Sequence, residues 1–349
     1  LSNVQAGMLT TIPVLAFGLL SGLVSRMGKR LGTERMLLAS MALLTAGLLI
    51  RPAGTIPLLF AGTALIGCAI TVGNVLMPAF IKLNYPGSLG LMTGIYAGSM
   101  NLFAALASGF SISLGKASGW GWKGSLGMWA VLGFLGFALW LPQVLKRKVR
   151  RAAEAGGKRP PLWRSSGLAW QLTAFMGLQS ILFYSLVAWL PELLRDWGME
   201  PRRAGWILSY IQLAQLPVVF GGPVIAARMK DQRPLIWIMS LFLVAGLSGI
   251  LWGKTAFIVP SAVMVGVALG LGFSLAMIFL SLRSRNAGDA AALSGMSQSF
   301  GYLFAASGPL LFGLLHGLTG GWVWPLAFLL LLSLALLVSG LGSARDRFV

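Results

Sequence analysis

The 349 residues are 57% hydrophobic and only 10% charged, with a mean hydropathy of +0.82, whereas a soluble chain carries about a quarter charged residues. A net charge of +19 would point to nucleic acid on a soluble domain, but here Lys and Arg fall between apolar runs. The expected partner surface is therefore a lipid bilayer and not nucleic acid. The single cysteine, Cys68, excludes an intrachain disulfide and a cysteine-based metal site; no metal and no cofactor are expected.

A run of about 20 apolar residues crosses a bilayer. That rule predicts eleven spans, at 4–25, 35–51, 56–83, 88–114, 124–145, 167–190, 204–227, 235–253, 256–282, 290–315 and 322–342. The fold class is an all-α polytopic membrane protein. Alternating loops put 20 of the 27 Lys and Arg residues on one side, eight of them in the basic stretch 146–166. The positive-inside rule makes that side cytoplasmic, in a bacterial-type inner membrane. The expected domains are a half-bundle at 1–145, a cytoplasmic linker at 146–166 and a second half-bundle at 167–349. Five spans precede the linker and six follow it, and residue 1 is leucine. A first helix is therefore expected to be missing from the start of this sequence, with whatever polar residues it carried.

The two halves are related. Leu102-Phe103-Ala104-Ala105 recurs as Leu303-Phe304-Ala305-Ala306, Gly94 as Gly295, and Trp120-x-Trp122 as Trp322-x-Trp324, at a constant offset of 201 to 202 residues. Duplicated half-bundles place a substrate site near mid-membrane, at the interface between repeats.

The amides test that expectation. An amide unpartnered in hydrocarbon costs several kcal/mol, roughly, so each must face protein, water or ligand. Those deep in spans are Asn74, Asn101, Gln179, Gln212, Gln215 and Gln298, accompanied by Tyr96, Tyr184, Tyr210 and Tyr302. The second, fifth, eighth and eleventh spans have no amide in their interiors, as an outer scaffold would. For any one amide the plain alternative is an interhelical hydrogen bond, worth about 0.6 kcal/mol on average. Asn74, Tyr96, Asn101, Gln179, Tyr184, Gln212, Gln215, Gln298 and Tyr302 are the expected substrate-binding residues. Lys82, near a span end, either snorkels or gives the inner mouth a positive potential. No Asp or Glu falls at mid-span, and Gly18-x3-Gly22, Gly94-x3-Gly98 and Gly266-x3-Gly270 form small-residue stripes that let helices approach.

Gly22-Leu-Val-Ser25-Arg26-Met-Gly28-Lys29-Arg30 resembles the signature loop between helices 2 and 3 of the major facilitator superfamily, with Ser25 where that loop carries an acid. Gly22, Arg26, Gly28, Arg30 and Lys82 are thereby candidate gating residues. Gly73-Asn74-Val75-Leu76-x-Pro78-x-x-Ile81-Lys82, Tyr85-Pro86, Met92-Thr93-Gly94-Ile95-Tyr96, Tyr184–Leu190 and Leu293-Ser294-Gly295-Met296-x-Gln298 are similar to the cyanate / 2-nitroimidazole transporter (CynX/NimT) family of that superfamily. The resemblance implies two pseudo-symmetric six-helix halves and alternating-access transport of a cyanate-like anion or a nitroimidazole-like heterocycle. It also implies a monomer, with the proton as candidate coupling ion. Two other classes fit parts of the sequence: a receptor or scaffold on the same fold, and an intramembrane serine hydrolase at Gly246-Leu247-Ser248-Gly249, for which His316 is the only histidine available as base.

Overall fold

The computed structural model of the chain describes residues 3–146, 166–253 and 255–349. Most of the expected linker, 147–165, lies outside the described residues. Helices α1 (Asn3–Leu31), α2 (Thr33–Ile50), α3 (Ile56–Asn84), α4 (Leu89–Ala117) and α5 (Gly121–Lys146) precede it. Helices α6 (Gly167–Asp196), α7 (Pro201–Arg228), α8 (Arg233–Gly253), α9 (Ile258–Leu282), α10 (Ala287–Ala305), α11 (Ser307–Thr319) and α12 (Val323–Ser343) follow it. They make eleven candidate membrane spans, α10 and α11 sharing one.

Local chemistry sets the boundaries. Thr55, Ser166 and Asn286 each accept a backbone N–H three residues on and so cap α3, α6 and α10. Gly32, Gly54 and Gly320, at φ of 90°, 96° and 65°, turn the chain after α1, after the short turn at Arg51–Ala53 that follows α2, and after α11. One expectation is corrected here: the Gly22–Arg30 motif is not a loop but the last turns of α1. Nothing before Gly32 breaks the helix, and Lys29 and Arg30 favour its C-terminal dipole. The break between α10 and α11 has a cause in Pro309, whose missing N–H leaves the Ala305 carbonyl without an intrahelical donor.

Helices α1 to α5 pack among themselves, as do α6 to α12; the main contacts between the sets run α1 to α10, α3 to α10 and α4 to α7. Helices α2, α5, α8 and α12 pack only within their own sets in these principal contacts, as an outer scaffold does. The repeat is visible at the seam. A Cβ on Gly94 would strike the Phe220 carbonyl, and one on its counterpart Gly295 would come 2.6 Å from Cβ of Ser25. Each repeated glycine thus lets a helix of one set touch a helix of the other. Gly98 lies against the Phe220 ring and Gly18 against Leu303, whereas Gly266 and Gly270 pack α9 on α7 within one set, and Gly22 faces open space.

Basic side chains gather at one end of the bundle, at Arg26–Arg30, Arg228–Arg233 and Arg283–Arg285. There Arg283, 2% exposed, is a hub. It donates to Gln232 Oε1, to the carbonyls of Ser343 (3.0 Å) and Ala344 (2.9 Å), and to Asp346 (3.3 Å). Burial lowers its pKa from the ordinary range, and Asp346 and Asp231 oppose that shift.

Candidate functional site: an amide-lined cavity above a closed seam

The polar and glycine contacts between the two sets that follow lie between the basic end and mid-span. At the basic end Lys82 Nζ donates to the Ser281 carbonyl (2.6 Å), and Ser281 Oγ donates to the Pro78 carbonyl (3.1 Å). Gly90 abuts the Pro223 carbonyl. Nearer mid-span, Gln298 Nε2 donates to the Asn74 carbonyl (2.8 Å), and Ser299 Oγ donates to the Gly18 carbonyl. Beyond that level, on the side away from the basic end, lies a cavity of about 310 Å³.

Six of the nine expected binding residues line this cavity together: Asn74, Asn101, Gln179, Tyr184, Gln215 and Tyr302. They come from five helices, α3, α4, α6, α7 and α10, so the lining draws on both sets. The other three are placed differently. Tyr96 stands behind Asn74 and donates its hydroxyl to Asn74 Oδ1. Gln298 is fully buried under the floor, bonded to Asn74 and to Ser294 Oγ (2.8 Å). Gln212 is exposed and is not among the lining residues. It sits about one turn before Gln215 on α7, so a shared helix does not bring it to the same depth.

The cavity's hydrogen-bonding character follows from what its amides have already used. Tyr96 occupies Asn74 Oδ1, which leaves the Nδ2 donor. Gln179 Oε1 receives Ser180 Oγ (3.4 Å), again leaving a donor. Asn101 Nδ2 gives one N–H to the Ala97 carbonyl (3.0 Å), and Oδ1 remains as an acceptor beside the second N–H. Gln215 is 4% exposed, and its Nε2 is buried with no partner among the described residues. A buried amide donor left unpaired costs about 1–3 kcal/mol. The remaining walls are aromatic and apolar: Phe17 stacked on Tyr302 (centroids 4.7 Å apart, 25° between planes), Phe183 edge-on to Tyr184 (5.4 Å, 73°), with Ile70, Met100 and Phe273. No Asp, Glu, Lys, Arg or His is among the lining residues.

The gating candidates divide. Lys82, partly buried, bridges the sets through the Ser281 carbonyl. Gly28 packs α1 on Leu76 of α3, at 2.6 Å from an added Cβ. Arg26 and Arg30 are exposed at the basic end, and Gly22 contacts no side chain. Sequence reasoning missed Phe17, Phe183 and Phe273, which read as ordinary core, and also Ser281 and Ser294, whose hydroxyls serve the seam. His316 stacks on Trp322 (3.8 Å, 13°) and its Nδ1 faces the Gly321 carbonyl (3.4 Å), a packed and structural position.

The Major Facilitator Superfamily profile matches residues 1–306. The chain is 43% identical to an uncharacterized transporter, YycB, of Bacillus subtilis (strain 168), over all of this chain and 87% of that protein. It is 38% identical to the 2-nitroimidazole transporter of Escherichia coli (strain K12), over 99% of this chain and 88% of the relative, and 25% identical to the cyanate transport protein CynX of the same organism, over 98% and 88%. Among solved structures, FucP, a superfamily transporter in the outward conformation, superposes with a TM-score of 0.79 at 13% identity, covering 99% of this chain and 91% of that one. The chain belongs to the major facilitator superfamily and is a multi-pass bacterial inner-membrane transporter of the cyanate / 2-nitroimidazole type, not an enzyme.

Proposed function

We propose that the chain moves a compact, flat, uncharged heterocycle rich in hydrogen-bond acceptors, of the nitroimidazole kind, by alternating access as a monomer. The observation that carries this reading is the balance of groups around the cavity: donors from Asn74, Gln179 and Gln215, one acceptor from Asn101, and aromatic walls. A nitro-heterocycle brings acceptor oxygens and a ring nitrogen for the donors, one N–H for Asn101, and a face to lie on Tyr302 and Phe17. An anion such as cyanate would leave water and need a counter-charge that none of the described lining residues supplies. The similarity to a 2-nitroimidazole transporter supports the same choice.

The basic end is assigned to the cytoplasm by the Lys and Arg bias, which makes the described conformation outward-open. In the other state the seam at Lys82, Gly94 and Gln298 separates, and the parting between the sets closes over the cavity. Each polar group at the seam then needs a new partner, so the two states share one set of donors and acceptors.

The test is uptake of labelled 2-nitroimidazole and of cyanate into vesicles holding the purified protein. The heterocycle is expected to enter and cyanate to be excluded, with Gln215→Leu and Asn101→Ala each lowering heterocycle uptake about fivefold, the size of one lost buried hydrogen bond. Uptake of cyanate alone, or unchanged uptake in both variants, contradicts the reading. An imposed pH gradient in the same assay reads proton coupling directly: acceleration identifies the proton as the driving ion.

A further inference from the structure

Pro78 stands inside α3, in its last two turns, and has no N–H. In an α-helix residue 78 would donate to the carbonyl of residue 74, so the Asn74 carbonyl has lost its intrahelical partner. It lies buried, where an unmade bond is costly. Its partner comes from the other set of helices: Gln298 Nε2 on α10 donates to it at 2.8 Å, held in line by Ser294 Oγ at 2.8 Å, with Ser294 itself 3.5 Å from the same carbonyl. Gln298 is 0% exposed and its Oε1 has no partner among the described residues, so the side chain is oriented by its bonds to this carbonyl and to Ser294. One turn further along α3 a second carbonyl is reached across the seam, Ser281 Oγ of α9 donating to that of Pro78.

We infer that Pro78 converts α3 into half of a conformational latch. It frees the Asn74 carbonyl, Gln298 of the opposite half fills it only while the basic end is closed, and the carbonyl is orphaned when the halves part there. The latch and the cavity share a residue. The peptide of Asn74 holds the seam while its side chain lines the cavity with Oδ1 fixed by Tyr96. A molecule seated on the Asn74 amide therefore acts on the residue whose carbonyl closes the seam. That last step rests on the cavity being the substrate site; the latch itself does not.

Spin labels at Arg35→Cys and Arg285→Cys, both exposed at the basic end and one in each half, placed in a Cys68→Ser background, report the opening of that end by pulsed electron–electron distance measurement. The measurement is made without ligand, so its failure is distinct from failure of the substrate reading. Gln298→Met keeps length and apolar bulk but has no donor. It is expected to raise the open-to-closed ratio about fivefold, the worth of one buried hydrogen bond. Pro78→Ala restores the N–H and lets the helix satisfy Asn74 by itself. Alone it should raise the same ratio, and in its presence Gln298→Met should add less than about twofold, because no orphan is left behind. Equal effects of Gln298→Met in both backgrounds, or distances unmoved by either substitution, overturn the inference.

Discussion

The two sides of mid-membrane use similar side chains for opposite ends. On the basic side, polar groups are consumed across the seam: Lys82 on Ser281, Ser281 on Pro78, Gln298 on Asn74. In the cavity, amides from the same set of helices keep capacity unspent, and Gln215 Nε2 is buried with nothing to bond. The difference teaches that an amide in a membrane span is not by itself a binding residue. What decides its role is whether protein or ligand completes its hydrogen bonds. A seam that spends its donors on its own carbonyls stays shut without help, and a cavity that keeps donors open is finished by what it carries.

That contrast can be broken most strongly at the seam. Gly94→Val places a branched side chain where even a Cβ meets the Phe220 carbonyl. Overpacking of that kind costs of order 2–3 kcal/mol, so the closed state is expected to be lost, with a lengthened Arg35–Arg285 label distance and failed uptake. Next in size is Arg283→Met at the basic end, which strips donors from Gln232, Ser343 and Ala344. A fall of about 1–3 kcal/mol should appear as a lower thermal midpoint in detergent, with the cavity still able to bind. On the cavity side, Gln179→Leu removes one offered donor and should weaken heterocycle binding by about 1 kcal/mol, roughly fivefold, as read by titration calorimetry. Smallest is Gln212→Ala, at an exposed position away from the lining: binding and stability should stay within about 0.5 kcal/mol of the parent.

Much of the architecture is legible in the residues because hydrocarbon enforces it. Apolar run length locates the eleven spans, and the repeated glycines mark the two symmetric approaches, Gly94 to Phe220 and Gly295 to Ser25. The end of α1 is misread because basic residues signal a loop in hydropathy yet suit a helix C-terminus. Within the site, helix identity is readable and depth is not, which is why Gln215 and Gln212 look alike in sequence and part in the structure. The role of Gln298 hides for another reason. Its partner is a backbone carbonyl, and only the proline four residues beyond Asn74 signals that the carbonyl is free. The aromatic walls Phe17, Phe183 and Phe273 carry no signal, since a ring facing a cavity and a ring facing a core are the same residue. Arg283 joins partners 51 to 63 residues away, a closure that no local pattern encodes.

The most direct measurement is the accessibility of a single cysteine at Ala104, on the cavity wall, in a Cys68→Ser background. A membrane-impermeant maleimide added from the side opposite the basic end should label Ala104→Cys, and 2-nitroimidazole should protect it. Labelling that occurs only from the basic side, or that the heterocycle leaves unchanged, contradicts an outward-open cavity built to hold it.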